Sequence, residues 1–351
     1  MSEGWPWSGQ FTPESTYVNT ASLGLPPRPT VDALDAVHRE WRLGRVQATD
    51  FDPVVADARA AYARLVGVDP ATVAVGHQVS PLVGLVASSL PPGSTVLTAE
   101  GDFTSVTFPF LARREHGVRV VEAPLGSLAD HVDGTTSLVA VSLVHSADGA
   151  LTDLEAVRSA AAHHGAEVLL DLTQAAGWLP VDAGRVGYTV CGGYKWLMSP
   201  RGTAFLTVRP DLLADLVPAA AGWYAGAEPW TSIYGSPLRL AEDARRLDTS
   251  PAWFGWVGTR ASLAFLEEVG VDAVHAHDVE VEAAFAAAAG LAPTGRALRA
   301  LDVDGAVPGI LDRAGVVAAT RAGRLRVSFH VHNTVPEAER LGRLVRGHVT
   351  G

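Results

Sequence analysis

One residue type occurs a single time in this chain. Lys195 is the only lysine among 351 residues, whereas arginines are numerous and scattered. Exchanging lysine for arginine keeps the charge of a protein surface, so an arginine-rich surface does not explain why one lysine remains. Arginine stays protonated and cannot condense with a carbonyl, whereas a lysine amine can lose its proton and form a Schiff base. We therefore predict that Lys195 is catalytic.

The residues before Lys195 indicate what the Schiff base serves. A short apolar run predicts a buried strand that ends at Asp171, and Gln174 follows it. The run 186–190 predicts another strand, and the glycines at 192–193 allow a tight backbone before Lys195. Ligands bind at the carboxyl ends of strands in open α/β sheets. A lysine for an imine, an aspartate for a ring nitrogen and a glutamine for a ring oxygen suit pyridoxal 5'-phosphate (PLP).

Short apolar runs alternate with helical patterns along most of the chain, which predicts a mostly parallel sheet flanked by helices. A glycine between a strand and a helix, as at Gly76, also predicts an anion site at the helix start. The predicted strands are 72–75, 96–98, 118–122, 138–143, 168–170, 186–190, 204–208 and 325–329. The predicted helices are 31–43, 54–66, 79–90, 104–116, 154–164, 256–266, 271–289 and 336–345, with one more beginning at Pro210.

Two motifs carry a resemblance to a known family. The D-x-T-Q motif at Asp171 is followed by a G-G-Y-K-W-L-x-x-P-x-G-x-x-F-L run around Lys195. Together they resemble the class V aminotransferase family of fold-type I PLP-dependent enzymes, over residues 17–345. The resemblance implies a mostly parallel central sheet flanked by helices and a smaller C-terminal α+β domain. It also implies a homodimer with shared active sites. The implied divisions are an N-terminal arm at 1–30, a large PLP-binding domain at 31–248 and a small domain at 249–351.

The same resemblance implies roles for further residues. Arg326, in an R-x-S-x-x-x-x-N-T-like stretch, matches the arginine that grips the substrate α-carboxylate. Ser250 matches a residue that reaches the cofactor phosphate of the neighbouring subunit. Phe103 matches the ring stacked on the pyridine, and Ser146 matches a residue near the ring oxygen. Residues 76–78 match the segment that holds the cofactor phosphate, and Tyr194 directly precedes the lysine. The implied cofactor-binding set is Gly76, His77, Gln78, Phe103, Ser146, Asp171, Gln174, Tyr194, Lys195 and Ser250.

The reaction is less constrained than the cofactor. Cysteine desulfurases of this family need a mobile nucleophilic cysteine in the C-terminal third, and this chain has only Cys191. C–S β-elimination needs only Lys195 and a leaving thiolate, so a C–S lyase is the first interpretation. An aminotransferase is the second, and an epimerase or a kynureninase-like hydrolase stays open. A non-catalytic PLP-fold binding protein is a remote alternative, which the retained Asp171 and Arg326 oppose.

The composition argues against several kinds of partner, location and metal site. The net charge of −11 argues against a nucleic-acid surface or an anionic membrane as partner, and no uncharged apolar run is long enough to span a bilayer. Residues 1–10 lack the features of a signal peptide, and a single cysteine fits a reducing compartment, so we expect a cytoplasmic enzyme. Histidine pairs without acidic or cysteine partners do not predict a metal site. The aromatic segment 221–248 predicts either a cover over a site or partner, or a structured loop between domains.

Overall fold

A computed structural model describes residues 5–350. Residues 1–4 and 351, the ends of the predicted arm and of the predicted small domain, lie outside the described residues. The strands are β1 (Thr16–Tyr17), β2 (Val73–Gly76), β3 (Thr95–Ala99), β4 (Arg119–Ala123), β5 (Thr136–Ser142), β6 (Glu167–Asp171), β7 (Tyr188–Gly192), β8 (Ala204–Val208), β9 (Leu298–Leu301), β10 (Val316–Val317), β11 (Ala319–Arg321) and β12 (Arg324–Ser328). The helices are α1 (Arg28–Arg42), α2 (Asp52–Leu65), α3 (Val79–Ser89), α4 (Thr104–Leu111), α5 (Leu154–His164), α6 (Trp253–Val269), α7 (Val271–Ala289), α8 (Val307–Arg313) and α9 (Val335–Val345).

A large sheet carries the site. Its seven strands, counted within residues 5–350, run in the order β2-β8-β7-β6-β5-β3-β4, and β8 is antiparallel to both of its neighbours while the other pairings are parallel. Strands β2, β3, β7 and β8 are buried along their whole length. Such strands are apolar at nearly every position because helices cover both faces. The expectation of a mostly parallel sheet with flanking helices is confirmed.

Two apolar cores lie on the two faces of this sheet. One is built by α2, α5 and α6 and includes the buried Trp178, Trp196 and Trp256. The other is built mainly by α3 and α4 with Phe110 at its centre. Alternate strand residues feed the two cores, since successive side chains of a strand point to opposite faces. The sheet edge between the cores, where β6 and β7 end, is therefore held from both sides.

The C-terminal part has its own small sheet and core. Antiparallel strands β11, β12 and β9 form the sheet, and α7 and α9 pack with it around Phe285 and Phe329. Strand β1 pairs in parallel with β10, so the segment near the N-terminus belongs to this layer. Helix α6 instead joins the core around Trp256. The boundary at residue 249 stays a prediction.

Most predicted elements are observed with ends shifted by a few residues. Three elements differ from the prediction. The helix predicted at Pro210 is a 3-10 turn, Pro210–Asp215. Helix α4 ends at Leu111, soon after an internal proline, so the predicted extension to 116 is wrong. Strand β9 was missed because it is only four residues long and contains an arginine. No helix among residues 5–350 is both long and apolar enough to cross a membrane.

Candidate active site

Lys195 lies three residues beyond the end of β7, at the carboxyl edge of the large sheet. Its side chain is only 5% exposed. Burial lowers the pKa of Lys195 to about 8, while the Asp171 carboxylate acts in the opposite direction. The backbone here is tightly held, because a Cβ at Gly24 would collide with the carbonyl oxygen of Lys195. The amine is therefore buried, fixed and close to deprotonation at neutral pH, as a general base requires.

Asp171 ends β6, the strand beside β7. Its Oδ1 accepts a hydrogen bond from the backbone N–H of Thr173 at 2.7 Å, and the side chain is 4% exposed. Burial raises the pKa of Asp171 to about 6, against the lowering effects of the Thr173 hydrogen bonds and of Lys195. The Thr173 hydroxyl in turn accepts from the backbone N–H of Gly192, which joins the ends of the two strands. Asp171 is thus a buried carboxylate that a cation would stabilise.

Gln174 is held by both ends of its amide. Its Nε2 donates to the carbonyl of Ala21 and to the hydroxyl of Ser146, both at 3.0 Å, and its Oε1 accepts from Trp196 Nε1 at 2.7 Å. Ser146 also accepts a hydrogen bond from Arg326 Nη1 at 3.1 Å. The structure therefore brings together Gln174, Ser146 and Arg326, which lie far apart in sequence.

A cavity of about 280 Å³ opens above these groups. The Phe103 ring lies on one side, with its centroid 5.1 Å from Lys195 Nζ, and the Tyr194 ring lies 5.8 Å from the same atom. Phe103 is 44% exposed, which is unusual for a large apolar ring beside a buried lysine. The residues that line the cavity are Gln78, Val79, Phe103, Thr104, Ser105, Ser142, Ser146, Asp171, Thr173, Gln174, Gly192, Tyr194, Lys195, Arg201 and Thr203.

The predicted phosphate segment lies at the start of α3. Gly76 ends β2 and leaves no room for a side chain, because a Cβ there would press on Leu82. Gln78 has extended dihedral angles at the N-terminal end of α3 and lines the cavity with Val79. His77 is exposed and is not among the residues that line the cavity. The helix start thus faces the cavity, while the His77 side chain does not contribute to its wall.

The predicted Ser250 turn is anchored near the same strand. Asp248 is buried, pairs with Arg59 at 2.5 Å and accepts from the backbone N–H of Val75 at 2.8 Å. Thr249 N–H reaches the Val75 carbonyl, and Ser250 itself is exposed. Ser250 does not line the cavity of its own chain. Within one subunit, Ser250 therefore lies in a turn bonded to β2 but outside the cavity that holds Lys195.

Arg326 lies on β12 and enters the site from the small sheet. It is 2% exposed, and Nη1 and Nη2 donate to Ser146 and to Ser22. Burial lowers the pKa of Arg326 to about 10, and the nearby Arg321 adds to that effect. The guanidinium remains protonated at neutral pH and supplies positive charge beside the cavity.

A buried network, which we call the floor, holds the backbone beside Lys195 from below. It consists of Gln174, Trp196, His330 and Asp278. The His330 Nε2 bonds to the Trp196 carbonyl at 2.9 Å, and its Nδ1 lies 3.0 Å from Asp278 Oδ2. Burial lowers the pKa of His330 to about 4 and raises that of Asp278. His330 Nε2 donates to the carbonyl, and a protonated Asp278 donates from Oδ2 to Nδ1, so the pair is neutral overall.

Several site residues were missed from the sequence. Asp102 accepts from the Phe103 backbone N–H at 2.6 Å and from the Ser142 hydroxyl at 2.6 Å, so it fixes the Phe103 backbone. Arg201 stands 5.1 Å from the Tyr194 ring and lines the cavity. Asp102 stands directly before Phe103, and its place after a strand could have revealed it. Arg201 carries no such mark, because arginines are scattered along the chain.

The residues present fit PLP. The buried Asp171 has room for a protonated ring nitrogen beside it, since it lines the cavity, and its pKa is raised by burial, a cost that such a cation would offset. Lys195 offers a poised amine, Phe103 an aromatic face, and the start of α3 offers backbone N–H groups for a phosphate. No group of three or more potential metal-binding side chains occurs within residues 5–350.

Comparisons with known proteins agree with this geometry. The family model for aminotransferase class-V matches residues 34–297. An uncharacterized aminotransferase of Bacillus subtilis (strain 168), YcbU, is 30% identical over 314 residues, which cover 83% of this chain and 81% of the relative. An isopenicillin N epimerase of Streptomyces clavuligerus is 28% identical over 302 residues, covering 77% and 73% of the two chains.

Solved structures extend the agreement to the fold. The cystine C–S lyase C-DES, in a complex with its product cysteine persulfide, superimposes with a TM-score of 0.86 at 21% sequence identity. The match covers 96% of this chain and 98% of that one. At this identity the comparison establishes the fold of the two chains as the same.

Proposed function

The chain belongs to the aminotransferase class-V family of PLP-dependent enzymes, and from this premise we propose that it is a C–S lyase. It would cleave a cysteine conjugate by β-elimination, releasing a thiol, pyruvate and ammonia with uptake of one water. One observation carries the proposal: Lys195 has a lowered pKa that suits a general base, whereas Cys191 cannot serve as a nucleophile. Cys191 is fully buried, and burial raises the pKa of its thiol well above the usual value. The cystine C–S lyase with the same fold adds support.

Each site residue has a role in this proposal. Bound PLP supplies an electron sink for the charge left at the substrate Cα. Lys195 Nζ takes the Cα proton, and its pKa of about 8 places the free amine near the operating pH. Asp171 would hold the proton on the ring nitrogen, and Phe103 would cover one ring face. Arg326 binds the α-carboxylate through a fork of N–H donors, which matches a planar carboxylate.

Product analysis tests the proposal. The purified holoenzyme is given cysteine conjugates and common amino acids, with and without a 2-keto acid acceptor. A lyase releases pyruvate and ammonia from conjugates without any acceptor. Keto acid formation that depends on the acceptor would instead establish an aminotransferase, the second candidate, which the similarity to YcbU favours. Loss of optical activity without product would establish an epimerase, and hydrolytic cleavage a kynureninase-like reaction.

We also propose a homodimer in which Ser250 reaches the partner's cofactor phosphate. Ser250 is exposed while its turn is firmly anchored by Asp248. Phe103 is also exposed at the mouth of the cavity. Within segment 221–248, Tyr234 and Leu238 are 87% and 77% exposed, whereas Trp230 bonds to Asp52 of its own chain. Segment 221–248 is thus anchored to its own chain through Trp230 and exposes apolar side chains at Tyr234 and Leu238. These features support the proposal that it packs on a second copy. Sedimentation of the holoenzyme tests the oligomeric state.

The proposed location is the cytoplasm. The support is the single cysteine, which leaves the chain without an internal disulfide and suits a reducing compartment. Fractionation of cells that produce a tagged copy tests this location.

A further inference from the structure

Two arginines meet at one serine hydroxyl beside the site. Arg326 Nη2 donates to Ser22 Oγ at 2.6 Å, and Arg321 Nη2 donates to the same oxygen at 3.1 Å. Arg321 ends β11, and Arg326 lies on the adjacent strand β12. Serine oxygen can accept two hydrogen bonds and still donate its own proton. The arrangement is therefore a pair of guanidinium groups bridged by a hydroxyl whose proton is free for a ligand.

This pair of positive charges lacks a carboxylate partner within the part of the chain that the structure describes. Within residues 5–350, neither Arg321 nor Arg326 forms an ion pair with a carboxylate. The chain as a whole carries an excess of acidic residues, with a net charge of −11. Placing two like charges together is unfavourable unless an anion compensates them. An acidic protein that leaves such a pair uncompensated next to its active site is arranged to receive an anionic ligand.

The unused hydrogen-bond donors of Arg326 indicate how much of an anionic ligand this residue can bind. A guanidinium has five N–H donors. Three hydrogen bonds of Arg326 go to Ser146 and Ser22, and its buried Nε has no partner in the described residues. The remaining N–H groups suffice for one carboxylate held by two bonds. Arg321 is then left over for a different anionic group.

The two arginines differ in depth. Arg326 is almost fully buried, whereas Arg321 is exposed. Both also act on Lys195, since each contributes to lowering its pKa, after burial as the main cause. The positive charges therefore extend from the reacting amine outward to solvent. A substrate bound through its α-carboxylate at Arg326 would lie next to Arg321, because the Ser22 hydroxyl bridges the two guanidinium groups.

We infer that Arg321 is a substrate-specificity residue and that the substrate is an amino acid whose side chain carries a second carboxylate. The inference rests on the proposed function, because it takes Arg326 as the binding group of the α-carboxylate. For a C–S lyase, the substrate would be a cysteine conjugate whose departing thiol carries a carboxylate. Arg321 and the Ser22 hydroxyl bind the second carboxylate, and Arg326 binds the first.

A matched pair of ligands tests this inference. S-carboxymethyl-L-cysteine and S-carbamoylmethyl-L-cysteine have nearly the same shape, but only the first carries a second carboxylate. Each is titrated into the holoenzyme, and its dissociation constant is taken from the change in the visible absorption of the bound cofactor. Pyruvate release is measured separately. We expect the carboxylate to bind about 10-fold more tightly than the amide, as one added charge-assisted interaction allows.

Two variants locate the effect. Arg321→Gln should bring the binding ratio of the two conjugates close to one. Arg324→Gln is the control, because Arg324 lies opposite Arg321 on the same hairpin but pairs with Asp302 at 3.3 Å. It removes the same charge and should leave the ratio unchanged. Circular dichroism checks that both variants are folded.

The possible results separate the two proposals. Carboxylate preference without pyruvate release would leave the anion site standing and reject the lyase. Pyruvate release from both conjugates at equal affinity would retain the lyase and overturn the second-carboxylate site. An equal loss of affinity for both conjugates in Arg321→Gln would also overturn it, since Arg321 would then act on the shared α-carboxylate. The absence of a saturable spectral change with either ligand would count against it in the same way.

Discussion

The two sides of Lys195 are built in opposite ways. Beneath it, the floor is buried, and Trp196, His330 and Asp278 have no exposed surface. Above it, the cavity opens toward a rim that we define as Phe103 and Arg201, to which Ser250 of the partner subunit would be added in the proposed dimer. Phe103 and Arg201 are exposed, whereas the floor is held by consecutive hydrogen bonds. The floor is thus complete within one chain, whereas we propose that a ligand or a second copy completes the rim.

This difference separates what is fixed from what can vary. A residue in a packed interior keeps its geometry whatever binds above it, which suits the residues that perform the chemistry. Exposed residues adapt to the substrate or to a partner. We therefore expect changes beneath the amine to abolish function or stability, and changes at the rim to alter affinity by modest factors.

The largest effect is expected at the amine itself. Lys195→Ala removes both the base and the covalent attachment of the cofactor, so kcat/KM should fall by at least about 10⁴-fold. Borohydride reduction of the unmutated holoenzyme, followed by peptide mapping, should place a pyridoxyl group on Lys195. Lys195→Arg serves as the control that keeps the charge, and it should be equally inactive. A pyridoxyl label on any other peptide would contradict the assignment.

The second effect is expected at Asp171. Asp171→Asn leaves the side-chain shape unchanged but cannot hold the ring nitrogen protonated, so kcat should fall by about 10²–10³-fold. Steady-state kinetics and cofactor content are measured together, because the variant should still bind PLP. Turnover near the unmutated rate would show that Asp171 is not the partner of the ring nitrogen.

The third effect concerns the backbone of the floor. Gly177 has a φ of +111°, and a Cβ there would collide with the carbonyl oxygen of Trp196. Gly177→Ala should lower the free energy of unfolding by about 2–4 kcal/mol. The control is Gly84→Ala in α3, where no atom lies within 4 Å of the added Cβ and where alanine favours the helix. Equal stability of the two variants in urea would show that the floor tolerates displacement.

The fourth effect is a loss of stability in acid. Burial lowers the pKa of His330 to about 4, of His277 to about 4 and of His332 to about 3. The unfolded chain therefore binds more protons than the folded one below about pH 6.5, and stability falls from there toward pH 4. Each histidine contributes about 1.4 kcal/mol per pH unit, and the raised pKa values of Asp171 and Asp278 oppose part of this.

Urea unfolding at several pH values measures how steeply the free energy of unfolding changes with pH. The expected net loss is about 1 kcal/mol per pH unit between pH 6 and 5. His332→Gln should flatten the slope, whereas His77→Gln, at an exposed position, should leave it unchanged. A slope that is the same in both variants would show that the buried histidines do not set the acid limit.

The smallest effect is expected at the rim. Ser250→Ala should weaken PLP retention by about 0.5–1.5 kcal/mol, the usual contribution of one hydrogen bond. Equilibrium dialysis of the cofactor measures this loss. Thr231→Ala is a suitable control, since Thr231 lies in the exposed segment and its hydroxyl bonds only within it.

Subunit mixing tests whether that contact crosses the dimer. Lys195→Ala and Ser250→Glu, each inactive alone, are combined under conditions where subunit exchange has been demonstrated. With shared sites, a hybrid dimer collects both lesions in one site and leaves the other intact, so part of the activity returns. No return of activity would mean that Ser250 serves its own subunit.

Much of the fold was predictable because strands buried on both faces are nearly continuous apolar runs, as in β5 and β8. That Lys195, Asp171 and Gln174 line one cavity was also predictable, since they lie within one short stretch, whereas their roles stay predictions. The remaining contacts depend on tertiary structure. Ser22 and Arg321 are separated by 299 positions in sequence, and His330 and Asp278 by 52. No local pattern marks such pairs, because each residue alone is an ordinary polar side chain.

The burial of the only lysine has a consequence for cofactor loading. Aldehydes such as PLP react readily with exposed lysines, and on an ordinary surface these compete with the catalytic amine. No other side chain of this chain is a primary amine, and Lys195 is shielded from bulk solvent. Side-chain adducts can therefore form at one position alone, and incubation with excess cofactor should saturate at one side-chain adduct per subunit.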